Sequence, residues 1–248
     1  LAKGIRPDLL ISIDFSEHNV KYMKCVTDAT MALAFDPEVH PDVLKQFPGQ
    51  KFVINLPGKS LCDWINKTIE DKGCLEKGLS VSHSAFLVAR ALKASPIIFI
   101  GQDLSYPRGS WHTKGSVIFQ HIGLDERITE RLVDVNGYFG GMVKSDVALR
   151  VFLNHFESLI EGNAAECYNA TEGGAHIRGI PELSLREAII RFCVREVDKR
   201  PFTQGYETQP YEEKIARLVH ESKVLITKLE SCNHAAYEAF QIINEMMR

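Results

Sequence analysis

The chain has 248 residues, of which 45% are hydrophobic and 25% charged, the proportions of an ordinary globular protein with ample length to bury a core. Its 29 basic and 32 acidic residues leave a net charge of −3, so no basic excess points to nucleic acid or an anionic membrane as a partner. The longest apolar runs, such as Pro96–Ile100, fall far short of the roughly 20 residues that span a bilayer, and no signal peptide is expected. Six cysteines (Cys25, Cys62, Cys74, Cys167, Cys193 and Cys232) show no metal-finger spacing and read as reduced thiols of a cytoplasmic protein. The opening Leu1-Ala2-Lys3-Gly4, without an initiator Met, reads as part of something longer.

In chain order, short β-rich runs alternate with helical patterns, as in βαβ units around a parallel sheet. Asp8–Asp14, Met31–Asp36 and Lys51–Asn55 are the first three predicted strands. A short helix between the second and third opens at Pro41-Asp42 and closes before Pro48-Gly49. A helix over Val81–Leu92 feeds a fourth strand, Pro96–Ile100, and a helix over Asp146–Glu161 feeds a fifth, Ala165–Asn169. Met23 and Met31 read as core filler.

From Ser184 the pattern changes. Ser184-Leu185-Arg186-Glu187 has the form of a capping box, and Arg200-Pro201 through Gln209-Pro210 reads as a linker. Positions 215, 222, 229, 236 and 243 hold Ile, Ser, Leu, Ala and Ile, while 218, 225, 232, 239 and 246 hold Leu, Leu, Cys, Ala and Met. Such seven-residue steps predict a long helix with a packing seam, its partner helix lying in this chain or in a second copy. The division expected is therefore residues 1–183 as an α/β domain and 184–248 as a helical C-terminal region.

Asp14, Asp36, Asn55, Asp103 and Asn169 each close a predicted strand or lie just beyond one. Any one alone is an ordinary turn residue; five on one edge point to a polar crevice outside the carboxyl ends of parallel strands. Ser80 is placed to cap the helix beginning at Val81, whose free N–H groups offer an anion site as readily as a plain cap. Gly101 permits a sharp turn that delivers Gln102 and Asp103 to the crevice, where a carboxylate can hold ribose, a metal or a proton. His112 follows on a loop bounded by Gly109 and Gly115, a functional histidine or a surface one.

A second informative stretch runs Asn169-Ala-Thr171-Glu172-Gly173-Gly174-Ala-His176-Ile-Arg178. Paired glycines directly after a strand leave backbone amides able to wrap a phosphate or ribose, although a tight turn with solvated charges reads equally well. Glu172, His176 and Arg178 would there supply an acid, a proton carrier and an anion clamp. His18, His40, His83, His121 and His220 read as structural or surface residues. No Walker A sequence, GxSxG elbow or HExxH is present, and no metal site is expected.

On these segments the chain resembles the motility accessory factor family of flagellin glycosyltransferases, which carry a domain of the 6-hydroxymethylpterin diphosphokinase type. The likeness covers roughly residues 4–185. It rests on Gly4–Asp8 with Ile13-Asp14, Ser80-Val81, Ile100–Leu104, His112–Gly115 and Asn169–Ala175. A more distant likeness is to sialyltransferases that use CMP-activated sugars. The resemblance implies an α/β, Rossmann-like (GT-A-like) mostly parallel sheet flanked by helices, followed by a C-terminal helical region.

It also implies a glycosyltransferase moving a nonulosonic acid of pseudaminic or legionaminic type from CMP to Ser or Thr of flagellin. Carried across, Ser80 and Asp103 line the CMP site, the Asn169–Gly174 loop closes over the nucleotide, and Asp14 and Asn55 border it. On the residues themselves, Arg178 or His176 would neutralise phosphate charge. Two departures stand out. The sialyltransferase base is a His ahead of a Thr-Asp, where this chain has Lys144-Ser145-Asp146, so Asp103, His112 or Glu172 must serve instead. The first strand and Gly-x-Gly-Pro-Ser phosphate loop of such proteins precede the sequence given. No cofactor is required on this reading, although Mg²⁺ held by Asp14 and Asp103 would belong to an alternative, ATP-dependent pterin diphosphokinase. A third alternative is a flagellin-binding module whose catalytic site has decayed. Neither nucleic acid nor a membrane span is expected, and a homo-oligomer could form through the C-terminal helices.

Overall fold

A computed structural model describes residues 4–71, 73–106, 132–162, 165–197 and 211–247. The loop around His112, His121 and the 200–210 linker lie outside the described residues.

The first unit is a three-stranded parallel sheet of β1 (Leu9–Ser12), β2 (Ala32–Phe35) and β3 (Gln50–Val53), with β2 in the middle. Leu9 lies opposite Ala32 and Ala32 opposite Gln50. Central β2 is apolar almost without interruption because both its faces are covered, whereas edge strand β3 alternates exposed and half-buried positions. Helices α1 (His18–Met23) and α2 (Pro41–Gln46) close one face over Val20, Met23, Met31, Leu33, Val43 and Phe47. The α2 start predicted from Pro41 is capped by His40, whose Nδ1 accepts from the Asp42 amide at 3.2 Å. At the carboxyl end of β2, Lys59 bonds both Asp36 and Glu38 at 2.6 Å and so pins α3 (Ser60–Ile69) to the sheet edge. Burial alone would depress the Lys59 ammonium, but its bonds to the two carboxylates outweigh that and raise its pKa.

The second unit holds the larger core. Strands β4 (Ile97–Phe99) and β7 (Cys167–Asn169) pair in parallel, Ile97 opposite Cys167. Between them in sequence comes an antiparallel hairpin, β5 (Leu132–Asn136) with β6 (Met142–Asp146), followed by α5 (Val147–Glu161). Phe99 from β4, Phe86 and Leu87 from α4 (Val81–Ala91), and Leu153, Phe156 and Ile160 from α5 make one apolar cluster. Phe99 meets Phe156 edge-on at 5.4 Å between ring centres.

The architecture is mixed α/β, with short parallel sheets flanked by helices and a C-terminal helix, as the alternating pattern predicted. Among the described residues the parallel ladders are separate, and helix α4 bridges them. Its Val88 packs with Ala34 and Ile54 of the first unit, while Phe86 and Leu87 belong to the second. The hairpin and the short α1 had no forecast in the sequence pattern.

Beyond β7, α6 (Leu185–Phe192) starts with the predicted capping box, Ser184 and Glu187 bonding each other's backbone. The heptad pattern becomes α7 (Glu212–Met246), 35 residues that touch α3, with Lys214 paired to Glu70 near its start. None of its residues is buried. Neither α7 nor any other helix among the described residues is long and apolar enough to cross a membrane. None of the six cysteines, all among the described residues, is in a disulfide.

Gly49, at the entry to β3, has no room for a side chain: a Cβ there would sit 2.0 Å from the Met31 carbonyl oxygen. Gly49→Ala should destabilise the protein by about 1–3 kcal/mol through overpacking, read as a fall in Tm. An unchanged Tm would show that the turn before β3 yields without cost.

Candidate functional site

Three segments meet where β4 and β7 end. The first is the start of α4. Ser80 caps it as predicted, accepting from the His83 amide at 3.4 Å, and its Oγ also bonds His83 Nδ1 at 2.6 Å. The other ring nitrogen of His83 meets the Phe152 carbonyl at 3.0 Å, and the ring stacks on Phe156 at 4.0 Å. His83 is fully buried, and that burial lowers its pKa to about 4, so the imidazole is neutral near pH 7. With Nε2–H donating to Phe152, Nδ1 is left to accept from the Ser80 hydroxyl. The hydroxyl expected to line a nucleotide is thus occupied in holding the helix start, while the amides of Val81 and Ser82 keep the usual unpaired status of a first turn.

The second segment follows β4. Gly101 takes φ +73°, the sharp turn its sequence position predicted, and Leu104 takes φ +49° without being glycine. Between them Gln102 ties the site together. Its backbone amide donates to Thr171 Oγ1 and its side-chain amide to Ser82 Oγ, each at 3.1 Å. Asp103 is half-buried, and among the described residues its carboxylate makes no hydrogen bond or ion pair; desolvation holds its pKa above the ordinary 3.8.

The third segment follows β7. Asn169 is fully buried; its Oδ1 accepts from the Thr171 amide at 3.1 Å, and its Nδ2 has no partner. Glu172 adopts φ +58° and Gly174 φ +75°. A Cβ on Gly174 would lie 2.3 Å from the Asp103 carbonyl oxygen and 2.5 Å from its Cα, so the two loops touch backbone to backbone. The Ala175 amide donates to that same Asp103 oxygen at 2.7 Å. Non-glycine residues in the left-handed region cost roughly 1–2 kcal/mol each. Leu104 and Glu172 hold that conformation on either side of Asp103, and strain of this kind concentrates at functional sites.

The predicted residues therefore divide. Ser80, Gly101, Gln102, Asp103, Asn169, Thr171, Glu172, Gly173 and Gly174 come together, while His112 lies outside the described residues. Asp14 and Asn55 stand at the ends of β1 and β3 in the first unit. There Asp14 accepts from the Ser16 amide at 2.7 Å and Asn55 donates to the Gly73 carbonyl at 2.9 Å. His176 and Arg178 turn away. Ala175 and Ile177 point into the core, so the residues between and after them face the opposite side, into a separate cleft beside α5. In place of a phosphate, His176 bonds Glu182 at 2.6 Å and Arg178 bonds Glu157 at 3.1 Å. The residue that sequence reasoning missed is Tyr138, after β5. Its hydroxyl bonds the carbonyls of both Asn169 and Leu183, at 3.2 and 3.0 Å, and its amide donates to the Gly174 carbonyl at 2.9 Å. Among the described residues no three His, Cys, Asp or Glu side chains converge as a metal-binding group.

Two glycine turns and a helix start thus meet at the carboxyl ends of β4 and β7. Residues 1–109 match the family model described as 6-hydroxymethylpterin diphosphokinase MptE-like. The fold is similar to that of a Maf glycosyltransferase from Magnetospirillum magneticum AMB-1, with a TM-score of 0.58 at 17% identity over 89% of this chain. The chain spans 31% of the length of that protein. No curated protein matches the chain. At 17% identity the likeness to that glycosyltransferase is one of fold.

Two outcomes test the crevice as a built structure. Gly174→Ala should cost roughly 2–4 kcal/mol, because it adds a strained φ to a backbone clash, and the Tm should fall accordingly. Asp103→Asn should leave the Tm at pH 7 unchanged or higher. A carboxyl whose pKa is raised on folding contributes stability that is present below its unfolded pKa and is lost as pH rises through the folded value. The variant should therefore flatten the decline in stability just above pH 3.8, measured by denaturant titration across pH. A large loss of stability instead would make Asp103 a structural turn residue.

Proposed function

We propose that the crevice around Asp103 holds the nucleotide of a CMP-activated sugar, and that the protein is a glycosyltransferase that transfers a nonulosonic acid to Ser or Thr of flagellin. The observation that carries this reading is the half-buried, unpartnered Asp103 carboxylate, set between two tight loops at the carboxyl ends of parallel strands. The fold similarity to a Maf glycosyltransferase supports it.

In such a transfer the acceptor hydroxyl oxygen bonds to the anomeric carbon as the bond to the CMP phosphate breaks, and the phosphate leaves with the electron pair. A base takes the hydroxyl proton, and fixed donors stabilise the phosphate. Asp103 is the base on this reading, because desolvation makes its carboxylate a better proton acceptor than an exposed one. His112 and Glu172 are the other candidates for that role. The amides of Val81 and Ser82 and the Thr171–Gly174 turn hold the phosphate and ribose, and Gln102 keeps these segments in register. Ser80 acts through the helix start it caps. His176 and Arg178, paired elsewhere, have no part in phosphate neutralisation.

The match of residues 1–109 to the pterin diphosphokinase-like model favours a second reading, diphosphate transfer from ATP with Mg²⁺ held by carboxylates including Asp103. Calorimetric titration of the longest expressible form with CMP and with ATP, each with and without Mg²⁺, separates the two. Micromolar CMP binding that persists without metal and is lost in Asp103→Ala is the expected result. Mg²⁺-dependent ATP binding with no response to CMP would establish the second reading. Silence from both would leave a binding module.

A further inference from the structure

The cleft into which His176 turns has a volume of about 390 Å³, within the range of small-molecule sites, and three elements build it. Helix α5 contributes Arg150, Asn154 and Glu157, which at i, i+4 and i+7 share one helical face. Strand β5 contributes Asp134 and Asn136, two apart and so on the same face, with Val135 between them turned into the core. The segment after the glycine turn contributes His176 and Arg178 by the same alternation. Met142, opposite Asn136 in the hairpin, forms an apolar rim, and the exposed Phe139 stands at the hairpin tip.

Most of the charges here are taken up in pairs. Asp134 is paired with Lys144 at 2.9 Å, Glu157 with Arg178 at 3.1 Å and His176 with Glu182 at 2.6 Å. Among the described residues Arg150 has no hydrogen-bond or ion-pair partner, and neither do the side-chain amides of Asn136 and Asn154. One uncompensated guanidinium therefore faces a concave surface with two idle amides, a fork suited to a single carboxylate flanked by hydroxyl or amide groups. The two carboxylates in the wall oppose a multiply charged ligand such as a triphosphate, but can accept hydrogen bonds from hydroxyls.

We infer that this cleft is a second binding site, separate from the Asp103 crevice, for a singly charged carboxylate-bearing sugar or sugar-like ligand, with Arg150 binding the carboxylate. Asn136 and Asn154 bond the polar groups beside that carboxylate, and Met142 covers an apolar edge.

The test is titration of the whole chain with D-glucuronate, followed by NMR of the Asn136 and Asn154 side-chain amides. Saturable shifts are expected, with D-glucose binding at least tenfold more weakly. Arg150→Gln, a change on an exposed helix face, should weaken glucuronate binding at least tenfold, and Arg150→Lys should weaken it less. Asp103→Asn should leave it unchanged, which keeps this site distinct from the proposed nucleotide site, whatever that site binds. Equal binding of glucose, or an Arg150→Gln variant that titrates like the unsubstituted protein, would overturn the inference. Inorganic phosphate that binds as tightly as glucuronate would overturn the assignment to a carboxylated sugar.

Discussion

The contact on which the crevice depends is the one between the backbone of Asp103 and the bare Cα of Gly174. Two loops from separate strands can lie this close only if one of them carries no side chain at the crossing, in a conformation that glycine adopts without strain. Once they touch, their polar groups find partners in sequence. Ala175 donates to Asp103, Tyr138 to the Gly174 carbonyl, and Gln102 to Thr171. The strain at Leu104 and Glu172 persists because each is bracketed by these bonds. Separating the loops would leave several backbone groups without partners in a half-buried place, which is costlier than the strain itself.

Helix α4 carries this arrangement. One helix packs against both parallel ladders, and its first turn reaches the crevice through Ser82 and Gln102. Burial has opposite effects on the two titratable groups nearby. It strips the proton from His83 and favours its retention on Asp103. Both shifts favour the neutral form, but only His83 has its polar atoms answered by neighbours. The imidazole is thus a fixed part of the core, and the carboxylate is the group left to meet a ligand.

Much of this was legible in the sequence, and the limits are physical. The parallel strands announce themselves as apolar runs ending in Asp or Asn, and the starts of α4, α5 and α6 are written locally in Ser80, Asp146 and the Ser184–Glu187 box. The heptad steps of α7 needed no tertiary context. The hairpin escaped because Leu132–Asn136 and Met142–Asp146 mix charged and apolar residues, and their pairing is fixed by the core beneath. The Asp103 and Gly174 segments could each be singled out, but their mutual contact joins positions some seventy residues apart. His176 and Arg178 were misplaced for a simpler reason. The chain after Gly174 runs extended beside β5, so residues that look clustered in sequence alternate between two faces. The i, i+4, i+7 spacing of Arg150, Asn154 and Glu157 was there to read. Its meaning depended on what lay opposite.

The stretch from Gly174 to Arg178 has a further consequence. Within five residues the chain is fastened to Asp103 through Ala175, to β5 through His176 and to α5 through Arg178. It forms the floor of the crevice at one end and a wall of the cleft at the other. An extended segment this short has no slack, since each residue contributes only about 3.3 Å of length. The Asp103 loop on one side of it and the cleft on the other therefore share one taut partition, and neither can shift without drawing on the other.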